Sequence, residues 1–163
     1  MDATNLPGPG VVMVTAASTA FDTVASVVDP EIPVLTIDEL GVLRGVREED
    51  GAVVVTITPT YSGCPAMRQI EDDISRALDR AGFTDHRVEV TYQPAWTTEW
   101  MTEEARGKLE RFGIAPPTAV EDVRCPKCRL GDPRMIAQFG STACKALMVC
   151  SACGDPFDYF KEH

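Results

Sequence analysis

The chain has 163 residues, 44% of them hydrophobic and 25% charged, which suits one medium domain or a small domain with an appended module. Its formal net charge of −10 argues against a nucleic-acid partner, since phosphate contacts require clustered Lys and Arg. The excess acid sits in residues 1–124, with 10 Lys+Arg against 21 Asp+Glu, whereas residues 125–163 carry 5 against 4. Such an acidic body reads as a solvated surface or as a match for a basic protein partner.

Residues 1–16 (MDATNLPGPGVVMVTA) open with no Lys or Arg before their short apolar patch, so they read as a flexible lead-in rather than a signal peptide. No apolar run approaches the roughly 20 residues that a bilayer span requires, so no membrane association is expected. Six cysteines without a secretory signal then point to the reducing cytoplasm, where thiols bind metals or react rather than pair.

From Ala17, Phe21, Val24 and Val28 recur at helical spacing until "DPEIP", where Pro30 and Pro33 forbid continuation. "LGVLRGVREEDGAVVVTITPT" predicts a hairpin turning at Glu49-Asp50-Gly51, with Val53, Val55 and Ile57 on one apolar face and Val54, Thr56 and Thr58 on a mixed one. A second helix is predicted from near Cys64, with Met67, Ile70, Ile74, Leu78 and Ala81 as its stripe and Gly82 as its stop. "HRVEVTY" predicts a third strand. "MTEEARGKLERFG" predicts a third helix, capped by Thr102 and ended by Gly113. The order helix, strand, strand, helix, strand, helix gives an α/β domain over residues 17–115, a small mixed sheet packed by helices. Trp96 and Trp100, in the loop before the third helix, read as core anchors, with a partner-facing patch as the alternative.

Residues 116–124 read as a linker, and residues 125–163 hold five of the six cysteines. Cys125-Pro-Lys-Cys128 and Cys150-Ser-Ala-Cys153, separated by 21 residues, have the pattern of a four-cysteine zinc ribbon. Each C-x-x-C forms a knuckle that offers two thiolates to one tetrahedral ion, here structural zinc, because so small a module cannot fold on its own core. Four cysteines alone leave an iron–sulfur or rubredoxin-type iron site open. Phe157, Tyr159 and Phe160 alternate partly as a closing strand does. Cys144 reads either as a small buried residue beside the knuckle or as a transient metal or cluster ligand; His163 is a weaker ligand candidate.

The remaining thiol, Cys64 in "PTYSGCPAM", is expected at a helix start, where backbone N–H groups favour a thiolate and Pro65 fits the first helical position. Asp29 and Glu31 begin a loop that can reach the same end of the sheet. With the hydroxyls of Thr58, Thr60, Tyr61 and Ser62, they describe a loose, exchangeable metal site; the alternative is a purely structural cysteine. No Cys–His or Ser–His arrangement, Walker loop or G-x-G-x-x-G is present, which leaves an independent hydrolase without a base.

From residue 17 to the end, "DPEIPVLTIDELGVL", "TPTYSGCPAM", "QPAWTTEWMTEEARGKLERFGIAPP", "FGSTACKALMVC" and "PFDYF" resemble the PaaD family, encoded with the multicomponent phenylacetyl-CoA epoxidase of aerobic phenylacetate breakdown. Residues 17–115 are similar to the iron–sulfur-assembly domain of SufT-like proteins. In that domain the cysteine matching Cys64 is implicated in metal or cluster handling, and the acidic loop matching Asp29–Glu31 is a hallmark. The epoxidase system contains a di-iron oxygenase and a reductase with flavin and a [2Fe–2S] centre. This chain has the ligands of neither component, so the resemblance implies an accessory role rather than independent catalysis. One such role is a maturation factor that handles Fe or an Fe–S cluster transiently and acts on the oxygenase or reductase, with a homo-oligomer or a partner supplying further ligands. The alternative is a non-catalytic structural or regulatory subunit of the epoxidase complex.

Overall fold

The computed structural model describes residues 15–163. Most of the lead-in expected at residues 1–16 lies outside the described residues, but Thr15 and Ala16 are already ordered by a helix start. The Thr15 side chain accepts the Ser18 N–H and begins α1, Ala16–Ala25. Ala20 and Val24 are the residues that α1 buries; Phe21 and Val28, part of the expected stripe, are exposed. The helix stops at Ala25, ahead of the prolines, because Ser26 caps it and the chain turns into the core.

The segment after α1 is a loop only in name. Val27, Ile32, Leu35, Ile37, Leu40 and Val42 are all buried along residues 27–42. Asp29 organises this segment by accepting the N–H groups of Glu31 and Ile32, both at 2.8 Å. Thr36 and Glu39 cap each other reciprocally, at 3.0 and 3.1 Å. Gly41 is required here: its φ is +77°, and a Cβ would stand 2.7 Å from that of Trp100.

The hairpin forms as expected, from β1, Leu43–Glu49, and β2, Ala52–Ile57, with Asp50 and Gly51 at φ 53° and 85°. Positive φ at both turn residues gives the twist that matches the strands. β3, His86–Val90, adds parallel to β2. The three strands form one mixed sheet in the order β1-β2-β3. Val53, Val55 and Ile57 face the core, together with Val46, Val88 and Val90. On the opposite face Val54 is fully buried as well, because its register partners Arg47 and Arg87 pair with Glu89 and Glu49 and lay their stems across it.

α2 runs Met67–Arg80 and buries Ile70, Ile74 and Leu78 against the sheet. Ala81, expected to close its stripe, is exposed. The helix begins three residues after Cys64, so that thiol lies in the turn before the helix rather than on its first turn. α3, Glu103–Phe112, starts at Thr102 as expected, its side chain accepting the Ala105 N–H.

Beyond α3 the chain enters a second sheet at once. β4, Ile114–Ala115, pairs parallel with β7, Pro156–Phe160; β6, Lys145–Val149, pairs antiparallel with β7; and β5, Arg134–Ala137, forms the far edge. This four-stranded order, β4-β7-β6-β5, draws residues 114 and 115 into the cysteine-rich sheet, while residues 116–124 contain one short 3-10 turn, Val120–Asp122.

Alternation along β6 and β7 gives the second sheet two different faces. Ala146, Met148, Phe157 and Tyr159 form a small core with Cys125 and Cys150. Phe160 instead enters the core of the first module, as does Cys144 just before β6. Trp96 is buried at this joint; its indole N–H donates to the Leu40 carbonyl at 3.0 Å. Trp100 is half-buried under the Arg44 guanidinium, 3.6 Å from the ring centroid. Among the described residues, no helix is long and apolar enough to cross a membrane.

Candidate metal centres

The two C-x-x-C knuckles converge. The sulfurs of Cys125, Cys128, Cys150 and Cys153 lie within 4.8 Å of one another. Cys125 and Cys153 are 3.8 Å apart, and Cys128 and Cys150 are 3.5 Å apart. A tetrahedron with metal–sulfur bonds of about 2.3 Å has edges of about 3.8 Å, so the four sulfurs fit a zinc ion. Backbone N–H groups assist them: Leu130 points at Cys128, Cys153 and Ala152 at Cys150, and Asp155 at Cys153. Those of Cys153 and Ala152 help pull the Cys150 thiol down to about 6, ready to bind as thiolate. When bound, zinc would supply a structural cross-link between the knuckles rather than a reaction. His163 takes no part, since its ring lies against Trp96 and its carbonyl accepts from Thr98.

A second group of chemically active side chains collects at the joint between the modules. Cys64 is half-buried in the turn before α2, with its own N–H bonded to the Tyr61 carbonyl. Asp29 is buried and Glu31 partly so. Cys144 arrives from the second module, 5% exposed, with the Thr142 hydroxyl 3.0 Å from its sulfur. It is therefore buried, but in the core against which Cys64 packs rather than with the ribbon's own core.

These groups act on one another electrostatically. Burial pushes the Cys64 thiol up, and Glu31, Asp29 and Cys144 push it further, against a single backbone N–H from Ala66 that favours the thiolate. The activation expected of a helix start is thus outweighed by desolvation and two carboxylates. Burial also raises Asp29, although the N–H groups of Ile32 and Glu31 oppose it, and it raises Glu31, with Asp29 adding to the effect. Tyr61 is pushed up to about 12 by burial and then by Cys64, Glu31 and Cys144. The joint thus sets two thiols beside two carboxyl groups, all four pushed up chiefly by burial.

One member was not foreseen. Lys145 is only 4% exposed, and its ammonium lies 3.5 Å from Asp158. It acts on Asp29, Glu31 and Cys144 as the local positive charge. Its one sequence signal was a lysine directly after a cysteine, opening the apolar run "ALMV".

Comparison with known proteins places both modules. Residues 114–161 match the family described as the PaaD zinc beta ribbon domain, and residues 18–91 match the iron–sulfur cluster assembly protein family. A protein of Escherichia coli (strain K12), provisionally named as one of the subunits of 1,2-phenylacetyl-CoA epoxidase, is 48% identical over 140 residues, covering 82% of this chain and 85% of that protein. The chain belongs to the PaaD family. An Fe-S protein maturation auxiliary factor of Porphyromonas gingivalis (strain ATCC BAA-308 / W83) is 38% identical over 86 residues, 52% of this chain and 81% of that one. The crystal structure of a DUF59 domain from Bacillus anthracis superposes with a TM-score of 0.52 at 28% identity, over 57% of this chain and 90% of that one. The chain thus joins an assembly-type α/β domain to a four-cysteine ribbon suited to a metal ion.

Proposed function

We propose that the chain is a cytoplasmic maturation factor of the phenylacetyl-CoA epoxidase system in aerobic phenylacetate degradation, assisting assembly or repair of an iron–sulfur or di-iron centre. Its clients are the oxygenase component, the reductase component or both. The observation that carries this reading is Cys64: a half-buried thiol flanked by Asp29 and Glu31, outside the complete four-sulfur site. The names of the relatives support the same reading, one for a subunit of the epoxidase and others for Fe–S maturation.

In this role Cys64 is a transient ligand to the cargo, with Asp29 and Glu31 as its oxygen donors. A buried thiol that is protonated when empty must lose its proton to the incoming metal, so capture and release both couple to proton movement. Open coordination suits transfer, because a cargo held by few ligands leaves readily for a better-furnished client. The ribbon serves as the docking module.

The test is the iron content of the oxygenase and reductase produced with the chain, without it, and with its Cys64→Ala variant. Maturation requires at least one component to come out iron-poor in the last two cases, and the deficient component names the client. Full iron loading in both, with activity restored on adding the chain back, makes it instead a structural or regulatory subunit of the complex.

A further inference from the structure

Cys64 and Cys144 stand 80 positions apart in the sequence and come from different modules, yet Cys144 is buried in the core against which Cys64 packs, near enough to act on its thiol. Both are free thiols. Next to Cys144 sits the ammonium of Lys145, almost fully buried, which such a charge tolerates only among counter-charges. Asp158 at 3.5 Å is one, and Asp29 and Glu31 are the others. The loop that carries Cys64 starts at Thr58, whose hydroxyl is buried without a hydrogen-bond partner. Orphaned buried polar atoms are rare and mark places where a ligand or a rearrangement completes the bonding.

We propose that Cys64 and Cys144 act together as a two-thiol ligand pair, within one chain, for a thiophilic divalent cation, Fe2+ on the maturation reading above. The inference rests on that reading and adds to it the second ligand that a single thiol lacks. Two soft donors select iron, zinc or cobalt over magnesium and calcium, and Asp29 and Glu31 are on hand as oxygen donors.

The charge balance fits the buried lysine. Binding breaks two S–H bonds, forms two metal–sulfur bonds and releases two protons to solvent, with no change of oxidation state. The two positive charges gained equal the two lost, so Lys145 meets no net repulsion when the cargo arrives. Among the described residues only the ribbon cysteines converge as a set of three or more ligands within 4.8 Å, so binding at the new pair requires its side chains to close on the ion.

The experiment uses the full chain with its ribbon loaded with zinc, titrated without oxygen with Co2+ as the probe. Thiolate-to-cobalt charge-transfer absorption is read while native mass spectrometry checks that the zinc stays. The expected result is one cobalt beyond the zinc, with the band falling to about half in both Cys64→Ala and Cys144→Ala, and affinity about tenfold weaker in each. Cys144→Ser serves alongside Cys144→Ala in case the smaller side chain unsettles the core. Wild-type binding in folded Cys144 variants overturns the pair, and if Cys64→Ala still weakens it, the maturation reading survives alone. No cobalt beyond the zinc also overturns the pair, leaving client iron content to judge the maturation reading separately.

Discussion

The ring of Phe160 meets the indole of Trp96 with centroids 6.1 Å apart and planes tilted by 53°. Phe160 ends the last strand of the ribbon sheet, and Trp96 belongs to the loop before α3, so this contact fastens one module to the other. Around it, Thr98 donates its N–H to the His163 carbonyl at 3.1 Å, and β4 pairs with β7. The modules share a core rather than a tether.

Truncating Phe160 to alanine removes a fully buried ring from that shared core. Such changes cost about 3–5 kcal/mol, because the lost transfer energy is joined by the cavity left behind. Urea unfolding followed by Trp fluorescence should show a lower midpoint of that order. A change below about 1 kcal/mol would mean that the joint is not held by this ring.

Removing the ribbon metal with a strong chelator should unfold residues 125–160 selectively. Amides of β6 and β7 are expected to lose protection from hydrogen exchange, while those of α2 and β2 keep most of theirs. Equal loss throughout would show that the first module cannot stand without the second. Cys128→Ser should reproduce the chelated pattern.

Glu39 links the 27–42 loop to α3. It shares reciprocal hydrogen bonds with Thr36, and its carboxylate meets Lys108 at 2.5 Å. Burial acts to raise its carboxyl, but Lys108 and the Thr36 N–H hold it below its usual 4.5. A depressed carboxyl contributes stability above its unfolded value and loses it as pH falls through the folded one. Glu39→Gln should therefore lower stability by about 1 kcal/mol at pH 7, with the gap to wild type closing as the pH drops below 4.5. Denaturation midpoints at several pH values check both statements.

The Cys64 thiol, raised by burial and by Glu31 and Asp29, should alkylate more slowly than a free cysteine at pH 7. Glu31→Gln removes one of the opposing charges, so more thiolate forms and the reaction speeds up. Peptide mass spectrometry after timed iodoacetamide treatment measures this. An unchanged rate would show that Glu31 does not act on the thiol.

Much of this was legible in the chain. The hairpin, α2, α3 and the ribbon follow from periodicity, turn residues and cysteine spacing, all of them local signals. The 27–42 segment was not, because its six buried apolar residues follow neither a helical nor a strand period and are fixed only by contacts with the rest of the fold. α1 misled for a related reason: with Ala20 as one of its two buried residues, larger exposed side chains gave it a false stripe. Cys125, Cys128, Cys150 and Cys153 were readable as one site because two short motifs define it. The joint of Cys64, Asp29, Glu31 and Cys144 could be named residue by residue, but its electrostatics could not. Whether Cys64 is raised or lowered depends on burial and on the approach of Glu31, Asp29 and Cys144, which tertiary structure alone supplies.

Order of synthesis gives the shared core one more meaning. Cys64 leaves the ribosome long before Cys144, Lys145 and Phe160, which belong to the last twenty residues. A growing chain therefore holds Cys64 without Cys144 or Lys145 until synthesis is nearly complete. Even then, the strands that deliver the missing groups are expected to need a ribbon metal to fold. On that expectation the ribbon ion becomes a licence: a chain starved of it should not assemble the joint.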